Sequence, residues 1–74
     1  MVHVVSEAIT DVEYDEEARE LDVTFTGGKI YRYFDVPPDT HAELMDADSM
    51  GAFLNRHIKP VFAFAEVTTM RRPG

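Results

Sequence analysis

Apolar and polar residues alternate through the first third of the chain, and this period of two predicts antiparallel strands. A first strand is predicted over residues 8–14 and a second over residues 21–26. Their inward positions are Ala8, Thr10, Val12, Tyr14, Leu21, Val23 and Phe25. The charged segment 15–20 between them is too short and too polar for a packed helix, so we predict a turn that joins the two strands.

The loop around Gly27 and Gly28 sets the register of a third strand, because a shift of one residue exchanges the two faces of a strand. A two-residue turn at the glycines would pair Phe25 with Ile30. A three-residue loop, with Gly28 in the left-handed conformation, would instead pair Phe25 with Lys29. The two registers differ in which side chains of the third strand reach the core.

The third strand carries the most distinctive stretch of the chain, Tyr31-Arg32-Tyr33. The two-residue turn would bring the charged Arg32 onto the apolar face. The three-residue loop sets Tyr31 and Tyr33 on that face and leaves Arg32 opposite Asp22 and Thr24, where its charge can be solvated or paired. We favour the three-residue loop for this reason.

Prolines divide the second half of the chain into shorter elements. Pro37 and Pro38 end the third strand, because proline donates no N–H to a sheet. A short helix is predicted to begin at Pro38 or Asp39, with a modest apolar stripe. That stripe is formed by Ala42, Leu44, Met45 and Ala47.

A second helical segment is predicted over residues 50–57, capped by Asp48 or Ser49 and broken before Pro60. Its residues Phe53, Leu54 and His57 share one side. Large and small residues alternate over residues 61–67, which indicates a last edge strand.

A chain of 74 residues is long enough for one small domain, which we predict to span residues 1–74, with a core at about 7–67 and a tail at 68–74. The predicted fold class is α+β. It comprises a three-stranded antiparallel β-meander packed against two short helices, with a short C-terminal edge strand as an optional addition.

The composition indicates in which compartment the protein resides and which classes of partner it disfavours. The chain has no cysteine, which excludes disulfides and favours the cytoplasm, and no apolar run approaches the roughly 20 residues that span a bilayer. We therefore expect no membrane association. The formal net charge is −7, and residues 1–28 hold eight of the 14 acidic residues but only Arg19 among the seven basic ones. The whole acidic excess lies in this part, which disfavours broad attraction to phosphate backbones.

Tyr31 and Tyr33 have two interpretations. Alternate residues of a strand present parallel rings about 7 Å apart, on which unpaired bases or ligand rings can stack. In the other interpretation, which our register favours, both are core residues with their hydroxyl groups at the rim.

A short basic run near the end of the second helix also has two interpretations. Asn55, Arg56, His57 and Lys59 can hold a phosphate or carboxylate, with Arg32 as a forked donor nearby. Alternatively, Asn55 ends the helix and the charges are solvated, which we favour. The candidate ligand-binding residues are Tyr31, Arg32, Tyr33, Asn55, Arg56, His57 and Lys59.

Catalytic and metal sites are not indicated by the pattern. The acids of the first strand alternate along it and do not converge on a cleft. The segment 46–51 begins like a calcium loop, but Met50 and His57 occupy positions where oxygen ligands belong. We predict no catalytic residues, no metal and no cofactor.

The order of short motifs along the chain resembles that of the KTSC domain family, whose marker is a central tyrosine-x-tyrosine. The matching residues are Val12-Glu13-Tyr14-Asp15, Leu21-Asp22-Val23-Thr24-Phe25, Gly28, Tyr31-Arg32-Tyr33, Val36-Pro37, Ser49-Met50-Gly51, Phe53, Asn55 and Ile58-Lys59. The resemblance covers Glu7 to Phe64. It implies a compact α+β domain that occurs alone in bacterial proteins and at the C-terminus of some lysyl-tRNA synthetases. It also implies RNA binding, and no established catalytic residues.

Two functions follow as hypotheses, both of them binding and neither catalytic. The first is a module that binds RNA or another anionic ligand through the Tyr31–Tyr33 strand and the region of Arg56 and Lys59, with salt-dependent affinity. The second is a protein-interaction or self-associating module that forms a homo-oligomer through an exposed edge and the Phe62/Phe64 segment, without nucleic acid.

Overall fold

Four antiparallel strands form one sheet in the order β1-β2-β3-β4 in the computed structural model, which describes residues 9–68. The strands are β1 (Ile9–Asp15), β2 (Glu20–Phe25), β3 (Ile30–Tyr33) and β4 (Phe64–Val67). The predicted α+β class and meander are confirmed, and the C-terminal strand is the fourth member, paired with β3. Of the predicted tail, residues 69–74 lie outside the described residues.

The hairpin between β2 and β3 has the three-residue loop that the sequence favours. Val23 pairs with Tyr31, and the Phe25 N–H donates to the Lys29 carbonyl oxygen at 2.8 Å. Gly27 and Gly28 have φ angles of 98° and 93°, a region that side chains disfavour. The loop therefore depends on glycine for its backbone shape, and it fixes which residues of β3 face inward.

Strand β1 departs from the predicted alternation at its beginning. Ile9 pairs with Phe25 but Asp11 pairs with Thr24, so one residue, Thr10, is extra at this point of the ladder. This bulge reverses the alternation: Ile9 packs against the core, whereas Thr10 is exposed. The prediction that Thr10 faces inward is wrong for this reason. The predicted inward residue Ala8 lies outside the described residues.

The first helix, α1 (Pro38–Asp46), begins at a proline as predicted. Its apolar stripe is narrower than expected, because Leu44 is buried while Ala42 and Met45 are exposed. The second, α2 (Met50–Phe53), begins after the predicted cap Ser49, whose hydroxyl oxygen accepts the Ala52 N–H at 3.2 Å.

The chain continues from α2 into a π-helical turn, Leu54–Ile58, where an α-helix was predicted to run to residue 57. The Lys59 N–H donates to the Leu54 carbonyl oxygen at 2.8 Å, a step of five residues. This wider turn buries both Leu54 and Ile58. Because Pro60 has no N–H, the helical pattern ends here.

The connection to β4 is a turn, not a strand. The N–H groups of Val61 and Phe62 both donate to the Ile58 carbonyl oxygen, at 3.1 and 2.9 Å. The last strand therefore begins at Phe64, three residues later than the start of the predicted strand.

One face of the sheet packs on the helices and forms the core with them. The buried apolar residues are Leu21, Val23, Phe25, Tyr33, Val36, Leu44, Leu54 and Ile58. Tyr14 closes this core at the side of β1: its hydroxyl group donates to the Val36 carbonyl oxygen at 2.6 Å, and its ring stacks on His41 at 4.3 Å. This face of the sheet places the tyrosines of β3 at the boundary between core and surface.

Candidate functional site

Tyr31 and Tyr33 point to the same face of the sheet but differ in exposure. Tyr33 is 1% exposed, whereas Tyr31 is half-buried. Tyr33 is therefore part of the core, and its ring offers no surface for stacking in the folded domain. Tyr31 has the rim position typical of an amphipathic aromatic residue, with one part packed and another in contact with solvent.

Arg32 points to the opposite face and binds Asp22 there. Its Nε and Nη2 atoms donate to the two carboxylate oxygens of Asp22 at 2.8 and 2.9 Å. The Asp22 side chain is 1% exposed and that of Arg32 is 22% exposed. The hydrogen bond to Asp22 is the main cause of a raised pKa of the Arg32 guanidinium. Arg32 is thus engaged inside the sheet and lies apart from the tyrosine rings.

Lys59 and Tyr31 both contact the ring of Phe25, although 27 residues separate them in sequence. The Lys59 Nζ atom lies 5.5 Å from the centre of the Phe25 ring, within the range of a cation–π contact. The Tyr31 ring lies 5.5 Å from the same ring on a tilted plane. The fold therefore brings a cation from the end of the π-helical turn to the aromatic side chains of the hairpin.

Phe64 extends these rings toward solvent. Its ring lies 5.4 Å from Tyr31 and 5.6 Å from Tyr33, yet Phe64 remains 53% exposed. We call Phe25, Tyr31 and Phe64, with Lys59 at one end, the aromatic strip. It combines a buried ring, a half-buried ring and an exposed ring with one positive charge.

The remaining candidates lie on the exposed side of the π-helical turn. Asn55, Arg56 and His57 are all exposed, and the His57 ring lies 4.8 Å from that of Phe53. They directly precede the buried Ile58 and the exposed Lys59, so the exposed cations Arg56 and Lys59 are three residues apart in sequence. Single π-helical turns within helices are frequent at functional sites, and this one displays three polar residues in succession.

A family model described as the KTSC domain matches residues 5–62. That span is more than half of the chain, and it includes Tyr31, Lys59 and the π-helical turn. The chain belongs to the KTSC domain family. The resemblance read from the motifs is thereby confirmed.

Other KTSC sequences occur both as small proteins and inside a larger one. A protein of Tsukamurella paurometabola is 42% identical over 62 residues, which are 84% of this chain and 92% of that protein. A lysine–tRNA ligase of Nostoc punctiforme is 33% identical over 60 residues, which are 81% of this chain but 11% of the ligase. The KTSC domain is thus nearly the whole of one relative and a small part of the other.

A solved structure supports the fold directly. The crystal structure of a KTSC domain protein from Yersinia pestis matches with a TM-score of 0.76 and 34% identity, over 86% of this chain and 90% of that chain. The sheet and helices described above are therefore the architecture of the KTSC domain.

Three residues that lie at or near the aromatic strip were not identified as site residues from the sequence. Phe64 was assigned only to a protein-interaction segment, and its contact with Tyr31 follows from the pairing of β3 with β4. Glu66 pairs with Tyr31 across the same strands. Lys29 is an exposed cation two residues before Tyr31, and the period of two of a strand could have placed it on the same side.

Metal ligands do not converge in the part of the KTSC domain that the structure describes. No group of three or more His, Cys, Asp or Glu side chains is arranged to hold a metal ion within residues 9–68. Among the same residues, no helix is long and apolar enough to cross a membrane.

Proposed function

We propose that this KTSC domain is a small non-catalytic module of the cytoplasm that binds RNA, or a ligand with similar anionic groups, on the aromatic strip and the neighbouring Arg56. The observation that carries the proposal is the meeting of Lys59 and Tyr31 at the Phe25 ring. Lys59 lies over the buried ring of Phe25, and the half-buried ring of Tyr31 packs on the same ring. A cation near an accessible ring suits single-stranded nucleic acids, with phosphate on the charge and a base on the ring.

The relatives add a reason to consider RNA. One of them is a lysine–tRNA ligase, whose name specifies a tRNA substrate, and its matching region is the KTSC domain. The net charge of −7 requires a local site, because the chain as a whole repels a phosphate backbone. No acidic residue lies between Gly51 and Phe64, so the exposed side chains of Arg56 and Lys59 provide such a site.

The predicted site residues have unequal roles in this proposal. Tyr31, Arg56 and Lys59 contact the ligand, and Asn55 and His57 flank it on the π-helical turn. Tyr33 supports Phe64 from below, since their rings are 5.6 Å apart. Arg32 maintains the sheet through Asp22, on the other face.

Fluorescence anisotropy with labelled single-stranded RNA and tRNA tests the proposal. We expect Arg56→Ala and Lys59→Ala to weaken binding together and to lower the salt slope by about 0.7 for each phosphate that is no longer neutralised. Arg19→Gly is the matched control. It removes one positive charge in the turn just before β2, about 20 Å from Phe25 at the other end of that strand, and glycine suits the positive φ of 57° at that position. Binding equally weakened by all three variants would indicate a nonspecific charge effect and contradict the proposal.

A second function, protein interaction or self-association, is favoured by one observation. Phe64 is 53% exposed on β4, a strand at the edge of the described sheet. Such an edge can pair with another chain. The mass in solution would then rise with protein concentration and fall in Phe64→Asp. Phe64 is a better position for this test than Phe62, because Phe62 packs against the core.

A further inference from the structure

We infer that the aromatic strip takes an unpaired guanine base, with Phe64 as the stacking ring and Glu66 as the residue that selects the base. This inference rests on the proposed RNA binding and concerns the specificity of that site. Phe64 and Glu66 lie beyond residues 5–62 that the family model matches, so the inference is about this chain and not about the family.

Stacking is needed because charge alone is insufficient. A protein that holds a duplex by its phosphates uses several cations, whereas this site offers three, Lys29, Arg56 and Lys59, on a chain of net charge −7. Base stacking can supply the missing affinity, and it requires an exposed ring. Phe64 meets this requirement: its ring is fixed against Tyr31 and Tyr33, at 5.4 and 5.6 Å, and it is still 53% exposed.

The position of Glu66 gives the selectivity. Glu66 pairs with Tyr31 across the sheet and follows Phe64 by two residues, so its side chain is on the same face as both rings. It is exposed and lies about 7 Å along the strand from Phe64, one alternate position away. A base stacked on Phe64 therefore presents its edge to a carboxylate, which only accepts hydrogen bonds.

Guanine is the base that satisfies this carboxylate best. Its Watson–Crick edge carries two adjacent donors, N1–H and the 2-amino group, which match the two oxygens of a carboxylate. Adenine and cytosine offer one amino group, and uracil offers one N–H. In a duplex these donors are occupied, so the guanine must be unpaired. The Glu66 carboxylate would repel a phosphate, but it accepts hydrogen bonds from the N–H groups of the guanine base.

Anisotropy with five-nucleotide RNAs that differ only at the central position tests the inference. We expect the strand with guanine to bind about tenfold more tightly than those with adenine or uracil, in the range of a bidentate contact. Inosine lacks the 2-amino group and should lose most of this preference. Glu66→Gln should reduce the preference for guanine, whereas the control Glu43→Gln, an exposed acid on α1, should leave it unchanged.

Variants of Phe64 test the stacking. Phe64→Ala should weaken binding of every single strand about tenfold, and Phe64→Leu should lie between, while Met45→Ala, a comparably exposed apolar residue, should have no effect. Thermal melts confirm that each variant is folded. Binding that depends on Lys59 but ignores the central base and Phe64 would overturn the inference and leave the proposed function standing. No binding to any RNA would overturn both.

Discussion

The two faces of β3 are built from different chemistry, although the residues that build them are neighbours in sequence. Tyr31 and Tyr33 lie on the face toward the helices, where rings pack edge to face and one hydroxyl-bearing side chain reaches solvent. Arg32 lies on the other face, where a nearly fully buried carboxylate accepts two hydrogen bonds from it. The Tyr-Arg-Tyr stretch therefore contains a core residue, a half-buried residue and the partly exposed partner of a buried carboxylate.

The difference shows that a distinctive motif is not itself a site. An aromatic face is stabilised by the removal of apolar area from water, while a buried ion pair gains little net stability but is costly to break. The first face can expose part of its rings to a ligand without loss of the fold. The second cannot release Arg32 without depriving the buried Asp22 carboxylate of the positive charge beside it.

The largest loss of stability is expected at Tyr33, the buried tyrosine of β3. Tyr33→Ala should lower the free energy of unfolding by about 3–5 kcal/mol, because it leaves a cavity beneath Phe64 and beside Leu21. Urea denaturation followed by circular dichroism measures this loss. Tyr33→Phe keeps the ring and should lose no more than about 1.5 kcal/mol. An Ala variant as stable as the Phe variant would mean that the ring is not part of the core.

The next largest loss of stability is expected on the other face of β3, where Arg32 binds Asp22. Arg32→Met should cost about 2 kcal/mol, since it leaves the Asp22 carboxylate buried without its main partner, and the partial exposure of Arg32 reduces the penalty below that of a fully buried pair. The double variant with Asp22→Leu should recover most of this loss. If Arg32→Met were as stable as the wild type in urea, the Arg32–Asp22 pair would not stabilise the fold.

A smaller effect is expected at Tyr14, which ties the edge of the aromatic face to Val36. Tyr14→Phe removes the 2.6 Å hydrogen bond to the Val36 carbonyl oxygen and should cost about 1 kcal/mol at neutral pH.

The pH dependence of that variant gives a second test. Burial raises the pKa of Tyr14 above its ordinary value of 10.0, so the folded state holds this proton more tightly than the unfolded state. Its contribution to stability is complete below pH 10.0 and is lost as the pH rises through the folded-state pKa. Denaturation at increasing alkaline pH should therefore show a steeper loss in the wild type than in Tyr14→Phe; equal slopes would disprove the link.

The smallest effect on stability is expected at Lys59. Lys59→Met keeps most of the aliphatic stem over Phe25 and removes only the charge, so the free energy of unfolding should change by about 0.5 kcal/mol. RNA affinity should nevertheless fall. A large loss of stability in thermal melts would show that Lys59 is a structural residue and not a binding one.

The sequence predicted the central part of the sheet because local signals decide it. Two adjacent glycines require a loop that admits positive φ, and placing Arg32 opposite Asp22 avoids a charge in the core. The bulge at Thr10 was not predicted, because an extra residue in a ladder depends on the pairing partner. The π-helical turn was not predicted either, because its residues suit an α-helix equally well: Leu54 and Ile58 are four residues apart and would share one face in both forms.

The candidate site was less predictable than the fold. The basic run was visible in the sequence, but the contact of Lys59 with the Phe25 ring, on which Tyr31 also packs, depends on how the π-helical turn packs against the hairpin. The exposure of Phe64 depends on where the last strand begins, and the turn that delays it is set by hydrogen bonds to Ile58. The spacing of residues in the sequence says little about contacts between distant parts of the chain.

The central claim is that ligands bind on the aromatic strip and not on the face of Arg32. Titration of isotope-labelled protein with single-stranded RNA, followed by NMR of every backbone amide at low and moderate salt, tests it most directly. We predict shifts at Tyr31, Phe64 and Asn55–Lys59 that weaken with salt, and none at Asp22, Thr24 or Arg32. Shifts centred on Asp22 and Arg32, or no shifts at high RNA concentration, would contradict the account.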